Sequence, residues 1–222
     1  FFFHAHAAIR AAQESRGLGD VYKRQNLYMT ILRSKDTQST KFRSLARKIS
    51  SLMAFEIFKD LRVLPKTIET PLEKYHGVKL SDPKPCVISI LRAGLIMSEG
   101  ITDIFDVVSI GHIGMYRDEQ TLKPINYVRK LPSDLKNRQC YLCDPMLATG
   151  GSVSFAVDNL KKKGAKDIRF LCLLAAPEGV EVMQKNHPDV KVFTASLDRS
   201  LNDIGYILPG LGDAGDRLYG TK

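Results

Sequence analysis

The segment CDPMLATGGS, residues 143–152, combines one carboxylate, two hydroxyl groups and two adjacent glycines. Glycines let an anion approach the backbone, and the free amides at the start of a helix attract negative charge. The hydroxyl groups of Thr149 and Ser152 add hydrogen-bond donors on either side of Gly150 and Gly151. The segment therefore predicts a phosphate-binding loop between a strand and a helix.

The spacing excludes the two most familiar glycine-rich phosphate loops. The lysine of GxxxxGK[ST] is missing, and no GxGxxG follows. An ordinary helix N-terminus explains TGGS equally well. Asp144 favours the ligand site, because a carboxylate beside a phosphate suits the hydroxyls of a sugar or a positive charge developing on it. The pattern thus indicates a phosphorylated ribose.

Apolar periodicity indicates the elements that carry this loop. Apolar residues at three- and four-residue spacing predict a helix within 39–61. Beyond it, strands and helices of about a dozen residues alternate, which predicts an α/β fold with a mostly parallel sheet flanked by helices. Ligands bind beyond the carboxyl ends of such strands, where Arg92 and Asp144 emerge. The expected strands and helices lie in KPCVISIL, VVSIGHIGMY, INYV, QCYLCD, GGSVSFAVDNLKKKG, DIRFLCLLAAP, EGVEVMQKNHP and VKVFTAS.

Two segments are expected to lie outside this alternation. The polar run RDEQTLK, residues 117–123, predicts an exposed loop joining two strands of a hairpin. Residues 1–26 show little apolar periodicity, and DVYKRQ within them resembles a translated sequencing-adapter remnant. We therefore expect a non-native leader over 1–26 and one domain over 27–222.

Composition bounds the class of protein. Of the 222 residues, 44% are apolar and 26% are charged, which is typical of a globular domain with a real core. No run approaches the roughly 18 apolar residues of a membrane span. The four cysteines indicate buried thiols in a cytoplasmic protein, with Cys140 and Cys143 on opposite faces of a strand. A net charge of +9 suits an anionic partner, whether nucleic acid, lipid headgroups or a phosphorylated metabolite, but a basic surface that serves only solubility explains the charge equally well.

Together, CDPMLATGGS and several further segments resemble the uracil phosphoribosyltransferase family, within the type I phosphoribosyltransferases. Most type I enzymes have two adjacent acids where this chain has Asp144 and Pro145, the single-acid form of the uracil enzymes. The resemblance implies the type I fold, with a flexible hairpin loop and a C-terminal base-binding loop. The further segments, in order, are ILRAG, GMYRDEQTL, AAPEG, HPDV and GYILPGLGDAGDRLYGTK.

The resemblance also implies roles for individual residues. Asp144, Arg117 and Asp213 would be catalytic, and Asp213 would hold Mg²⁺, through water. Uracil would meet the main chain of the C-terminal loop at Ile207, Gly212, Asp213 and Ala214. The substrate 5-phosphoribosyl diphosphate (PRPP) would bind to Arg92, Arg117, Asp144, Pro145, Met146, Leu147, Ala148, Thr149, Gly150, Gly151, Ser152 and Asp213.

Further properties follow from the resemblance alone. Family members are homo-oligomers, and some respond to GTP, so both are expected here, with a cytoplasmic location and without membrane or nucleic-acid partners. Two alternatives remain open at this point. The same fold serves RNA-binding regulators, which the basic charge would suit. The chain could also be an inactive relative within a fusion protein.

Overall fold

A computed structural model of the chain describes residues 2–3, 19–117 and 124–221. The helices among these residues are α1 (Gly19–Arg33), α2 (Ser39–Ile57), α3 (Leu95–Thr102), α4 (Gly151–Lys162), α5 (Pro177–Asn186) and α6 (Ala214–Tyr219). The strands are β1 (Phe2–Phe3), β2 (Val63–Glu69), β3 (Lys74–Leu80), β4 (Cys86–Leu91), β5 (Ser109–Arg117), β6 (Pro124–Lys130), β7 (Gln139–Cys143), β8 (Met146–Leu147), β9 (Asp167–Ala175), β10 (Lys191–Leu197), β11 (Ser200–Leu201) and β12 (Ile207–Leu208).

The central sheet has the strand order β1-β10-β9-β7-β4-β5-β6, and β8 extends it beside β9. The strands from β10 to β5 are parallel, whereas β1 and β6 pair antiparallel at the two edges. The predicted mostly parallel sheet is therefore confirmed, as is the pairing of INYV in a hairpin with the preceding strand. The order reverses between β4 and β7, and the crevice at such a point is where open parallel sheets bind ligands.

Two apolar clusters cover the two faces of the sheet. Helices α1, α2, α3 and α6 pack on one face, and α4 and α5 pack on the other. The strands are apolar on both sides because both faces are buried. As predicted, Cys140 and Cys143 lie in opposite clusters. All four cysteines are buried free thiols, and burial raises the pKa of Cys86 and of Cys140 to about 12, so both stay protonated.

Helix α1 differs from the expected organisation, because the predicted boundary between residues 26 and 27 falls inside it. Gln25, on the leader side, is buried, and its side-chain amide donates a hydrogen bond to the Ala195 carbonyl at 2.9 Å. In the following turns of the helix, the side chains of Met29 and Leu32 are buried. The apolar pattern is weak at the start of this helix because a polar residue occupies a core position there and is satisfied by a backbone group. That residues 1–26 are a non-native leader stays a prediction.

The region after α1 brings two more differences. The predicted helix within 39–61 ends at Ile57, after which the chain turns and the Phe58 ring packs against Phe105 and Tyr141. The hairpin of β2 and β3 was not expected, because its residues are exposed on both faces and show no burial pattern.

Two sequence predictions concern the membrane and the polar loop. In the described part of the chain, no helix has the length and apolarity needed to cross a membrane. The predicted loop lies almost entirely at residues 118–123, outside the described residues.

Gly100 offers a test of the packing of α3 on α2. A Cβ atom at this position would lie 2.3 Å from the Arg47 carbonyl oxygen. Helix propensity alone predicts that Gly100→Ala stabilises the protein by about 0.5–1 kcal/mol. We expect instead a loss of about 1–3 kcal/mol, the usual cost of overpacking, because the helices must move apart. Urea unfolding of both proteins measures the sign, and an alanine variant at least as stable as the wild type would contradict this packing.

Candidate active site

The candidate site lies at the point where the strand order reverses. Arg92 directly follows β4, and Asp144 directly follows the neighbouring strand β7. Gly94 lets the two strand ends approach, since a Cβ atom there would lie 2.3 Å from the Cys143 carbonyl oxygen. The sheet thus brings together two charged residues that are 52 positions apart in the chain, as the sequence predicted.

Asp144 is a partly buried acid with few partners. Its backbone N–H donates to the Leu171 carbonyl at 3.1 Å, and its Oδ1 accepts a long hydrogen bond of 3.4 Å from the Met146 N–H. Burial raises the pKa of Asp144 to about 7, and the Met146 N–H opposes this only in part. The side chain is therefore sensitive to any hydrogen-bond donor or positive charge that a ligand brings.

The loop after Asp144 is anchored to β9 before it opens into α4. The Pro145 carbonyl accepts hydrogen bonds from the N–H groups of Leu173 and Leu174, both at 3.0 Å. Met146 and Leu147 then form β8, and Leu147 is fully buried. This anchoring means that Pro145 and Leu147 support the loop, while their neighbours form its accessible surface.

The accessible part of the loop is the N-terminus of α4. Thr149, Gly151 and Ser152 are exposed, and Ala148 is half-buried. The residue before the helix is Gly150, with φ of +79°, and no side chain caps the helix or places an acid in its first turn. The first amides of α4 are thus left to an external acceptor, which is the arrangement of an anion-binding helix N-terminus.

Helix α5 supports this loop from behind. A Cβ atom at Gly179 would lie 2.4 Å from the Ala148 carbonyl oxygen, so only glycine allows α5 to pack here. Val182 also lies close to Gly150, where a Cβ atom would be 2.9 Å from its Cγ1. The AAPEG segment therefore supports the shape of the loop at residues 148–150.

The C-terminal segment predicted to bind a base is an ordered loop. Ile207 is buried in the short strand β12, which pairs with β11, and Ala214 is buried at the start of α6. Gly212 is exposed with φ of +79°. Asp213 is exposed and caps α6, since its Oδ1 accepts from the Asp216 N–H at 2.8 Å. The prediction of an ordered loop is confirmed, and the cap of α6 is an additional role for Asp213.

The loop after β4, the loop after β7 and the C-terminal loop all contact one apolar cluster. The buried side chains of Ile207 and Ala214 belong to it, and Ala93, Met146 and Ala148 pack against it. The segment before β12 also approaches the loop that precedes α4: a Cβ atom at Gly205 would lie 3.6 Å from the Thr149 Cγ2. A cavity of about 570 Å³ lies on the side of the C-terminal loop that adjoins α1; its lining includes Arg33, Gly212 and Asp213, but neither Arg92 nor any residue of 144–152.

The two predicted arginines are placed differently. Arg92 is exposed, and its guanidinium lies over the Tyr219 ring at 5.3 Å, while the Tyr219 hydroxyl donates to the Arg92 carbonyl at 2.8 Å. Arg92 is therefore connected to the C-terminal segment. Arg117 is the last residue of β5, opposite Pro124 in the hairpin. Its side chain lies outside the described residues.

Sequence reasoning missed three residues that shape the site: Tyr219, Arg33 and Asp198. Tyr219 lies within the recognised C-terminal segment, so its aromatic ring was the available signal. Arg33 and Asp198 form an ion pair across 165 positions, with Nη2 and Oδ1 at 2.5 Å. No pattern in the local sequence predicts such a pair.

Comparisons with known proteins agree with this geometry. The family model "Uracil phosphoribosyltransferase" matches residues 23–221. The uracil phosphoribosyltransferase of Pediococcus pentosaceus is 54% identical over 194 residues, which cover 87% of this chain and 93% of the relative. The enzyme of that name from Streptococcus pneumoniae is 52% identical over the same shares of both chains.

Solved structures agree with the fold. The AQ2163 protein of Aquifex aeolicus superposes with a TM-score of 0.83 at 32% identity, covering 92% of this chain and 96% of its own. The adenine phosphoribosyltransferase of Trypanosoma brucei shares the fold at a TM-score of 0.52 and 15% identity, over 79% of this chain and 71% of its own. From the family match, the identities and the converging loops, we conclude that the chain belongs to the uracil phosphoribosyltransferase family.

Proposed function

We propose that this protein transfers the phosphoribosyl group of PRPP to uracil, giving UMP and diphosphate. In this reaction the bond between ribose C1 and the diphosphate oxygen breaks, and a bond from uracil N1 to C1 forms on the opposite face. N1 gives up its proton, and the diphosphate leaves with the electron pair of the broken bond. The transition state resembles an oxocarbenium ion, so the site must stabilise a leaving anion and a transient cation.

The observation that carries the proposal is the placement of an acid beside an uncapped helix N-terminus, next to the C-terminal segment at Gly205. The amides of residues 149–152 suit the 5-phosphate of the substrate. Asp144, which directly follows β7, suits the ribose hydroxyls and the charge that develops on the ring. A simple anion site would have no use for that carboxylate.

Arg92 is the described residue best placed to bind the diphosphate, because it extends from the neighbouring strand end. Its planar guanidinium suits bidentate contacts with phosphate oxygens. The Tyr219 ring, which it covers, keeps it on the side of the C-terminal loop. We assign Arg117 to the same task from the resemblance.

The C-terminal loop would read uracil through its main chain. Uracil presents alternating carbonyl and N–H groups, which backbone amides and carbonyls at Ile207, Gly212 and Ala214 can match. Cytosine would leave one of these groups without a partner, and a buried unpaired group is costly. The loop therefore supports selection of the oxo base over the amino base.

Mg²⁺ is proposed as the cofactor. Asp213 fits it, because carboxylate oxygens are preferred ligands and only Oδ1 of this exposed side chain serves as the helix cap. Among the described residues no cluster of three or more His, Cys, Asp or Glu could hold a metal, so most ligands would be substrate oxygens and water. When bound, Mg²⁺ would offset the charge of the leaving diphosphate.

Assembly, regulation and location are further proposals. The hairpin of β2 and β3 pairs with no other described strand and exposes apolar side chains, among them Ile68, Leu72 and Val78. Such a patch supports a homo-oligomer, in which a second copy would cover it. The GTP response and the cytoplasmic location stay predictions from the resemblance.

A substrate panel tests the proposed function. The purified protein is incubated with PRPP and Mg²⁺ and with uracil, cytosine, hypoxanthine or orotate, and nucleotide formation is measured. We expect UMP with uracil only, and diphosphate release that depends on the added base. Retention of RNA without any nucleotide formation would favour the regulatory alternative instead.

Asp144→Asn is the sharpest test of the mechanism. Asparagine keeps the shape and the acceptor for Met146 but removes the charge that opposes the ribose cation. We expect turnover to fall by about a hundredfold or more, the scale of losing one electrostatic contact with the transition state. Steady-state rates at saturating PRPP and uracil give the measurement. Asp158→Asn, at an exposed position of α4, is the matched control and should keep normal turnover.

The Asp144→Asn variant also tests how the stability of the protein depends on pH. Because the pKa of Asp144 is raised to about 7 in the folded protein, ionising this group costs stability as the pH rises from about 4 to 7. Asp144→Asn should therefore be more stable than the wild type at pH 8, by up to about 4 kcal/mol, and should lose this advantage towards pH 4. Urea unfolding at several pH values measures the difference. A constant difference between the two proteins would show that Asp144 titrates normally.

A further inference from the structure

The loop that would read uracil has little regular structure of its own. Between the two-residue strand β12 and helix α6, residues 209–213 form neither helix nor strand. Main-chain groups can discriminate between bases only if the backbone stays in place, because a shift of about 1 Å breaks a hydrogen bond. Contacts outside the substrate site must therefore position this loop.

Gly210, in the middle of the loop, is held at both of its polar backbone groups. Its N–H donates to Asp198 Oδ2 at 2.8 Å, and its carbonyl accepts from Arg33 Nη1 at 2.9 Å. Arg33 and Asp198 also bind each other, with Nη1 and Oδ2 at 2.7 Å and Nη2 and Oδ1 at 2.5 Å. The three residues form a closed hydrogen-bonded ring around one peptide segment.

The ion pair of this ring is well shielded. The Asp198 side chain is 3% exposed, and the Arg33 side chain is 22% exposed. Burial raises the pKa of Asp198, but hydrogen bonds from Arg33, the Gly210 N–H and Ser196 outweigh it and hold the pKa below its ordinary value. The carboxylate thus stays charged at neutral pH, and charge-assisted hydrogen bonds of this kind are stronger than neutral ones.

The ring controls the position of the predicted base contacts. Gly210 has φ of +66°, and a Cβ atom there would lie 2.1 Å from the Ile207 carbonyl oxygen. The loop is therefore folded back on Ile207, whose N–H is a proposed uracil contact. Arg199 adds a second tie, since its N–H donates to the Leu208 carbonyl at 2.9 Å.

A neighbouring arginine fixes the other side of the loop. Arg217 donates through Nη1 to the Leu211 carbonyl at 2.8 Å and through Nη2 to the Ser34 carbonyl at 2.6 Å. Its guanidinium lies over the Phe42 ring at 4.4 Å. The end of α1 is thus tied to the base loop twice. The described hydrogen bonds of Arg33 and Asp198 do not reach residues 144–152.

We propose that Arg33 and Asp198 are positioning residues for base recognition: they hold the main chain of the uracil loop in place without touching the substrate. The inference rests on the proposed function, because it assumes that this loop reads the base. On this proposal, the ion pair between Arg33 and Asp198 increases affinity for the base. Affinity for the sugar phosphate depends instead on the loop at residues 144–152.

Binding of two ligands separates these contributions. UMP contacts both loops, whereas ribose 5-phosphate lacks the base. In Arg33→Lys one charge remains but the bidentate pair with Asp198 and the bond to Gly210 cannot all be made. In Asp198→Asn the shape remains and the charge is lost.

For each variant we expect UMP to bind about tenfold or more weakly and ribose 5-phosphate to change less than about twofold, as for the loss of one charge-assisted hydrogen bond on the base side only. Isothermal titration calorimetry gives both dissociation constants. In steady-state kinetics the KM for uracil should rise while the KM for PRPP stays unchanged.

Arg47→Lys is the matched control. Arg47 forms a bidentate pair with Asp103 at 2.5 and 2.6 Å, on the surface between α2 and α3, and the variant should bind both ligands normally. Unchanged UMP binding in both test variants would overturn the inference. Equal weakening of both ligands, or loss of folding in both variants, would also overturn it, because the pair would then serve general stability. A wild-type protein that binds no UMP and converts no uracil would instead reject the proposed function.

Discussion

A single electrostatic contrast organises this molecule: the free amides at the start of α4 attract negative charge, and the carboxylate of Asp144 repels it a few residues away. Within the part of the chain that the structure describes, neither group has a charged side-chain partner. There, helix α4 has no side-chain cap, and the Asp144 carboxylate accepts one long hydrogen bond, from a backbone amide. A ligand that carries phosphate at one end and hydroxyl groups or positive charge at the other satisfies both groups together.

The surrounding fold keeps these two groups in place by close backbone packing. Gly94 brings the end of β4 against the end of β7, and Gly179 brings α5 against the back of the phosphate loop. A side chain at either position would collide with a carbonyl oxygen, so the loops rest directly on rigid elements. Catalytic groups that rest on strands and helices are positioned more accurately than groups on free loops. Residues 209–213 of the C-terminal loop form neither helix nor strand, and the ion pair between Arg33 and Asp198 adds hydrogen bonds that hold Gly210 in place.

Predictability differed between the parts of the chain for physical reasons. The parallel strands were predictable because both of their faces are buried, which leaves continuous apolar runs between turns. Helix α1 was not predicted, because Gln25 takes a core position, where a backbone carbonyl satisfies it. The hairpin of β2 and β3 was missed because exposed strands carry no burial pattern. The partner of Gln25 is distant in the sequence, whereas the hairpin joins neighbouring segments that simply carry no apolar pattern.

The chemistry proposed for the site follows from residues that are neighbours in the sequence. The acid, the glycine pair and the hydroxyls of residues 143–152 are contiguous, so their function could be inferred from local spacing and family resemblance. How the C-terminal loop is held becomes visible only in the folded chain. Arg33 and Asp198 are 165 positions apart, and their pairing follows from the packing of α1 beside β10 and the base loop. A hydrogen bond forms only between atoms that are close in space. The local sequence shows such closeness only for residues that are neighbours along the chain.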